Sequence, residues 1–336
     1  MTSRRTFLAG TALLASGLAV RTGRAADKSY HIGAAVYGLK AEYMQLWTKA
    51  LKQHPAVKSG LANITVFDGN YDALTQNNQF ETMVTEKYDA IIFVPIDAQA
   101  GAEAVHKAKV AGIPVIGSNT RVVGDELTSY IGSDDVKSGA MEAEAVIKGI
   151  GGKGNVVIIE GPIGQSAQIE RRKGNLLALK EAPDVKVLEM KTANWSRAEA
   201  LSLMENWLTA HPGQINGVIG QNDEMALGAI EAMKAAGIDP KTMPTAGIDG
   251  VTDALLAVKR GEMVSILQDS TGQSQGALDI ALRHLIGASY KPQSAIWAQY
   301  GADMPWADGM EKVYNVPWTP VTSQNVDKLL ATRQQS

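Results

Sequence analysis

Apolar positions along this chain fall in short continuous runs, separated by stretches in which they recur every three to four residues. YHIGAAVY (30–37) reads as a strand, and 41–54 as a helix with Tyr43, Met44, Trp47 and Leu51 on one face. NITVFD (63–68) is the next strand, followed by a helix over 73–86. DAIIFVP (89–95) is apolar almost throughout, as strands buried on both faces are. A helix then runs to Ala111, Gly112 ends it, and IPVIGS (113–118) and TSYIGS (128–133) close a first set of elements. The same grammar starts again. NVVIIEG (155–161), VKVLEM (185–190), INGVIG (215–220), MPTAGID (243–249) and MVSILQ (263–268) alternate with helices over 166–181, 196–210, 223–236, 251–259 and 272–286. KVAGIPVIGSN (109–119) and KAAGIDPKTMPTAGID (234–249) share one order of helix, glycine, proline turn, strand and polar tip. This pattern predicts an α/β protein of two similar lobes, each a parallel sheet with helices on both faces. The tail, 313–330, reads as a strand and a last helix.

In such sheets ligands sit beyond the carboxyl ends of the strands. The residues there are Tyr37 to Tyr43, Asp68 to Asn70, Pro95 to Asp97, Asn119 to Arg121, Gly161 to Arg171, Asn194 to Arg197, Gln221 to Glu224, Asp249, and Gln268 with Asp269. Amides, carboxylates, arginine and aromatic rings dominate. They can grip hydroxyl groups through paired donors and acceptors, and cover C–H surfaces with flat rings. Tyr37 and Tyr43 each offer both a ring and a hydroxyl, whereas Lys40 and Glu42 read as a solvated loop. Asp249 suits the cap of the helix after it, and Asp134 and Asp135 suit the cap of theirs.

Composition narrows the classes. The chain has 336 residues, 45% of them hydrophobic, enough for two cored domains. Residues 1–25 form a basic start with Arg4 and Arg5, an apolar stretch too short to span a bilayer comfortably, and a small-residue end. They predict an export signal of the twin-arginine type, cut after Ala25 or Ala26, and hence a periplasmic protein. With the leader's four arginines set aside, 28 basic residues face 35 acidic ones, a net charge of −7 that argues against a nucleic-acid partner. There is no cysteine, so thiolate chemistry is excluded. The five histidines show no pairing at metal-ligand spacing, and no G-x-S-x-G elbow occurs. EGPIGQSA (160–167) follows a strand and opens a helix, but lacks the Lys-Ser/Thr of a phosphate loop. No metal or cofactor is called for.

QNDEMALGA (221–229) and GIDG (247–250), with IPVIGSN and IGSDD before them, resemble periplasmic sugar-binding proteins of the ribose-binding type, the solute receptors of ABC importers. The resemblance covers roughly residues 29 to 290. It implies two lobes joined by three crossing segments, near Gly132 to Asp135, Gln268 to Thr271 and Trp297 to Met304. The first lobe would then be 28–133 with 270–300, and the second 134–268 with 301–336. It also implies a ligand-binding set: Arg171 and Asn222 as donors to sugar oxygens, Asp249 as carboxylate, Trp195 as stacking ring, and Gln268 or Asp269 as the hinge-side contact. The first lobe departs from the family's pattern. Where ribose-type receptors carry an Asp-Arg pair, this chain has Asn119 and Thr120, and where they carry two Phe it has Glu42 and Tyr43. Fewer charge-assisted bonds point away from ribose and towards a polyol, another pentose or an inositol. Implied partners are that small molecule, a membrane permease and a chemoreceptor. Three other readings compete. An enzyme on this scaffold lacks a catalytic constellation, and a repressor core lacks a DNA-binding segment. A receptor for a furanosyl signal would show more acids after the first lobe's strands.

Overall fold

A computed structural model describes residues 28–335; the export signal expected at 1–25 lies outside them. The first sheet begins with β1 (Tyr30–Val36), β2 (Ala62–Asp68), β3 (Ala90–Val94), β4 (Val115–Ser118) and β5 (Ser129–Gly132). Between them run α1 (Glu42–Lys52), the short α2 (Pro55–Lys58), α3 (Ala73–Thr85) and α4 (Ala98–Val110). After α5 (Asp135–Gly149), the second sheet is built from β6 (Gly154–Glu160), β7 (Val185–Thr192), β8 (Gly217–Gly220), β9 (Thr245–Asp249) and β10 (Val264–Leu267). Its helices are α6 (Ser166–Lys180), α7 (Arg197–Ala210), α8 (Asp223–Ala235) and α9 (Thr252–Arg260). The tail holds α10 (Ser270–Ile286), α11 (Ile296–Tyr300), β11 (Val313–Asn315), β12 (Thr319–Pro320) and α12 (Val326–Gln335).

Both sheets have six strands in equivalent order, β2-β1-β3-β4-β5-β11 and β7-β6-β8-β9-β10-β12. Their pairings are parallel except β10 with β12. The apolar runs explain this. Ile91, Ile92, Phe93 and Val94 of β3, and Val156 to Ile159 of β6, are buried. Strands of that kind need helices on both faces. Many helix starts are fixed by a side chain at the preceding strand tip: Asp72, Asp97, Asp134, Ser196, Asn222 and Asp269 each accept from a backbone N–H two or three residues on.

One boundary differs from expectation. The family resemblance implies that residues 301–336 belong to the second lobe, after a crossing near Trp297 to Met304. Instead β11 pairs with β5, Val313 opposite Tyr130, as the outer strand of the first sheet. Trp297, Trp306 and Tyr314 pack edge-on there, with ring centroids 4.6 and 5.3 Å from Trp297. The crossing falls at 316–318, and only β12 and α12 reach the second lobe. A strand of three residues carries no readable period, and the aromatic cluster that holds the tail on the first lobe is a tertiary feature. The chain also passes from one sheet to the other at 133–134 and 268–269. Trp318 Nε1 donates to the Asp134 carbonyl at 2.7 Å, tying two of the three segments together.

Candidate functional site

The site is built at the carboxyl ends of both sheets. In the first lobe, Tyr37 follows β1, Tyr43 lies in the first turn of α1, and Asn119 and Thr120 follow β4. All four are buried. Asn119 has a left-handed backbone (φ 62°), and its carbonyl accepts from Tyr130 Oη at 2.6 Å. Tyr43 Oη and Asn119 Nδ2 both donate to Gln273 Oε1, at 2.7 and 3.2 Å. Gln273, on α10, is held in turn by Ser133 Oγ. Its role as a shared support was not visible in the sequence, because α10 returns to this lobe only after the whole second lobe. Thr120 Oγ1 donates to the Pro95 carbonyl at 2.7 Å. Burial raises the Tyr37 and Tyr43 phenols well above their ordinary pKa, so both are neutral hydrogen-bonding groups.

The second lobe holds the charges. Arg171, on α6, donates from Nε to Asp135 Oδ1 at 2.8 Å, from Nη1 to the Gln221 carbonyl at 2.6 Å and from Nη2 to Gln268 Oε1 at 3.3 Å. Burial opposes its charge, but Asp135 and Asp249 outweigh that and raise its pKa. Asp135 therefore serves as the counter-ion of Arg171, while Asp134 alone caps α5. Asn222 Oδ1 caps α8 through Met225 N at 2.9 Å, which leaves its amide N–H groups for the cavity. Asp249 sits at φ 130°, a region costly for a residue with a side chain. Burial raises its carboxyl well above the usual range, with Arg171 working against the rise. Its carboxylate has no hydrogen-bond partner among the described residues, so it does not cap α9. Asp223 does part of that work: its Oδ2 accepts from Gly250 N, Val251 N and Ser265 Oγ at 2.6, 3.1 and 2.8 Å. Gln268 faces the cavity with a buried Nε2 that lacks a partner, whereas Asp269 caps α10 and accepts from Tyr300 Oη. Trp195 has a left-handed backbone (φ 60°), and Nε1 donates to Gln165 Oε1 at 2.6 Å.

Tyr37, Tyr43, Asn119, Thr120, Arg171, Trp195, Asn222, Asp249 and Gln268 line one small cavity, completed by Gln165 and Ala167. In the sequence Gln165 is one residue of the polar stretch 161–171. It bridges the lobes, donating from Nε2 to the Pro95 carbonyl at 2.9 Å while it holds Trp195. Further bonds between the lobes run from Arg121 N to Ser166 Oγ (2.7 Å) and from Ala98 N to the Gly164 carbonyl (3.1 Å). Outside the cavity, and sharing Trp195 with it, lies a wider groove of about 520 Å³ between Lys40 and Tyr71 of one lobe and Asn194, Arg197 and Glu224 of the other. Chemically, the inner cavity offers one carboxyl group, one pre-bonded guanidinium, four amides and two phenols around an indole face. That set matches an uncharged molecule rich in hydroxyls. Among the described residues no group of acids and histidines is placed to hold a metal.

Known proteins place the chain. The family model of a periplasmic binding protein domain matches residues 32–289. A xylitol-binding protein of Mycolicibacterium smegmatis is 41% identical over 213 residues, 63% of this chain and 60% of that protein, so the match spans less than two thirds of the relative. A ribose import binding protein of Bacillus subtilis is 32% identical over 234 residues, 69% of this chain and 73% of its own length. Among solved structures, an ABC transporter solute binding protein from Bacillus halodurans with bound myo-inositol superposes with a TM-score of 0.79 at 31% identity, covering 91% of this chain and 98% of that one. The chain belongs to the periplasmic binding protein family, and the proteins it resembles are solute receptors rather than enzymes.

Proposed function

We propose that this protein captures a neutral polyol or monosaccharide between its lobes and hands it to an ABC importer. The class is that of pentitols, tetritols, inositols and pentoses. The observation that carries the reading is the inner cavity, where hydrogen-bonding groups from both lobes converge on one enclosed space. Asp249, the free N–H groups of Arg171, Asn222 Nδ2 and Gln268 Nε2 are left for a ligand from the second lobe. Asn119 Oδ1, the Tyr37 hydroxyl and the Tyr43 oxygen, as acceptor, are left from the first. The uncharged first-lobe wall favours a polyol over ribose, and the xylitol-binding relative and the myo-inositol complex support the same class. Trp195 covers a C–H face of the ligand, and Arg171 and Asp249 fix its hydroxyls.

In this reading the three crossing segments act as a hinge. Ligand contacts made by both lobes favour the closed arrangement by differential affinity, and the closed arrangement is what a permease recognises. The leader at 1–25 sends the protein to the periplasm by the twin-arginine route; Arg4→Lys with Arg5→Lys would leave precursor in the cytoplasm. Titration calorimetry of the mature protein with xylitol, ribitol, erythritol, myo-inositol, D-ribose and D-allose tests the ligand class. Heat is expected from at least one polyol. D-Ribose binding more tightly than every polyol would overturn the assignment.

A further inference from the structure

Helix α9 begins in the second lobe, and its own N-cap residue, Val251, provides no side-chain cap. The first free N–H groups there are divided between two sources. Asp223, from the same lobe, takes Gly250 N and Val251 N. Thr252 N is taken from across the cleft by Glu42 of α1, whose two carboxylate oxygens each lie 3.2 Å away, while Thr252 Oγ1 donates to Glu42 Oε1 at 2.5 Å. A carboxylate at a helix start is favoured both by those bonds and by the helix dipole. Arg333 of α12 donates to the Gly250 carbonyl at 2.9 Å and places a positive charge near Glu42 at the same junction. Glu42 lines neither the inner cavity nor the outer groove.

We infer that Glu42 is a positioning residue for ligand capture, a latch by which the first lobe completes the N-terminal cap of a second-lobe helix when the lobes meet. This rests on the proposed capture by closure. Separating the lobes leaves Thr252 N and Oγ1 to water and frees the carboxylate, so the contact contributes to the closed state alone. Its effect appears in how long a ligand is held, not in how the lobes fold or how fast a ligand enters.

Stopped-flow kinetics on the mature protein test this, using whichever of the six compounds titrated above binds most tightly. Glu42→Ala is expected to speed dissociation about tenfold, as for loss of hydrogen bonds to a charged group, with little change in association. Thr252→Val, which keeps the N–H but loses the hydroxyl, gives a smaller effect in the same direction. The double variant is no worse than Glu42→Ala alone. Ligand-free melting temperatures stay at the unsubstituted value, which separates a latch from a structural role. Unchanged dissociation, or a fall in ligand-free melting that accounts for the loss, would sink the latch. If none of the six compounds binds, the proposed ligand class fails, and the latch is read from the ligand-free protein. The chain has no cysteine, so spin labels at Lys52→Cys and Lys186→Cys report the lobe separation cleanly. Longer separations in Glu42→Ala support the latch, and identical distributions overturn it.

Discussion

In the first lobe β2 runs into Asp68-Gly69-Asn70-Tyr71-Asp72, and in the second β7 runs into Thr192-Ala193-Asn194-Trp195-Ser196. Each turn places an asparagine and an aromatic residue consecutively in the left-handed region, at φ 49° and 59° in one and 54° and 60° in the other. Each ends in a helix cap, Asp72 to Thr75 N and Ser196 to Glu199 N. Each ring presses on a glycine just beyond the lobe's first strand. A Cβ on Gly38 would stand 2.3 Å from Tyr71, and one on Gly161 would stand 2.0 Å from Trp195. The frame is shared but its use is not. Trp195, 5% exposed, walls the inner cavity, while Tyr71 stays in the outer groove with Lys40 over its face. Charge divides the same way: Arg171, Asp135 and Asp249 belong to the second lobe, and the first contributes only neutral groups to the cavity. Two near-equivalent scaffolds thus line one cavity differently, the second lobe with its ionisable groups and the first with neutral ones.

The largest test of this division is Arg171→Ala. It leaves Asp135 buried without its partner and should cost about 3–5 kcal/mol in urea unfolding, along with calorimetric binding. Its neutral counterpart, Asn119→Ala, should cost about 1 kcal/mol, the worth of one ordinary hydrogen bond. Comparable losses from the two would contradict the division. Next come the glycines. Gly161→Ala and Gly38→Ala each crowd an aromatic ring, at about 1–3 kcal/mol by melting. Only Gly161→Ala should abolish polyol binding, since only Trp195 faces the cavity. Equal affinity in the two variants would remove Trp195 from the ligand.

The smallest effect is in pH dependence, where the lobes differ in sign. Burial pushes the Asp223 carboxyl up to about 7, against its three hydrogen bonds. Between about pH 4 and 7 the folded state holds this proton and the unfolded chain does not, so the group's contribution to stability falls as pH rises. Asp223→Asn should flatten that slope. In the first lobe burial also disfavours the Asp279 charge, but His54, 3.2 Å away, and the Ser294 and Tyr290 hydroxyls prevail and hold its pKa below the usual carboxylate range. Its contribution is present above the unfolded pKa and is lost as pH falls through the lowered one. Asp279→Asn should destabilise at neutral pH and make little difference near pH 2. Thermal melts of both variants from pH 2 to 8 check the two signs.

Much of this was legible in the sequence because parallel strands announce themselves as apolar runs and the residues after them must either cap a helix or face a ligand. That rule, with the family resemblance, named nine residues that the fold gathers around one cavity. It failed where the partner comes from elsewhere in the chain. Gln273 reads as an ordinary polar helix position until α10 is laid against β4, and Glu42 reads as solvated until α9 of the other lobe meets it. Gln165 was inside a loop already noted for its polarity, and the nearby indole N–H in need of an acceptor was the signal that could have singled it out.

The late strands β11 and β12 have a consequence for how the chain folds. Each sheet receives its outermost strand from the last stretch of sequence, and α10 returns to the first lobe only after β6 to β10 have been made. Neither half can be finished as an independent unit during synthesis. A chain stopped before residue 313 would leave the terminal β5 and β10 edges uncovered, open to pairing with other chains. The two lobes, whose buried side chains share one large cluster, are thereby bound into one cooperative folding event that waits for residues 313–320.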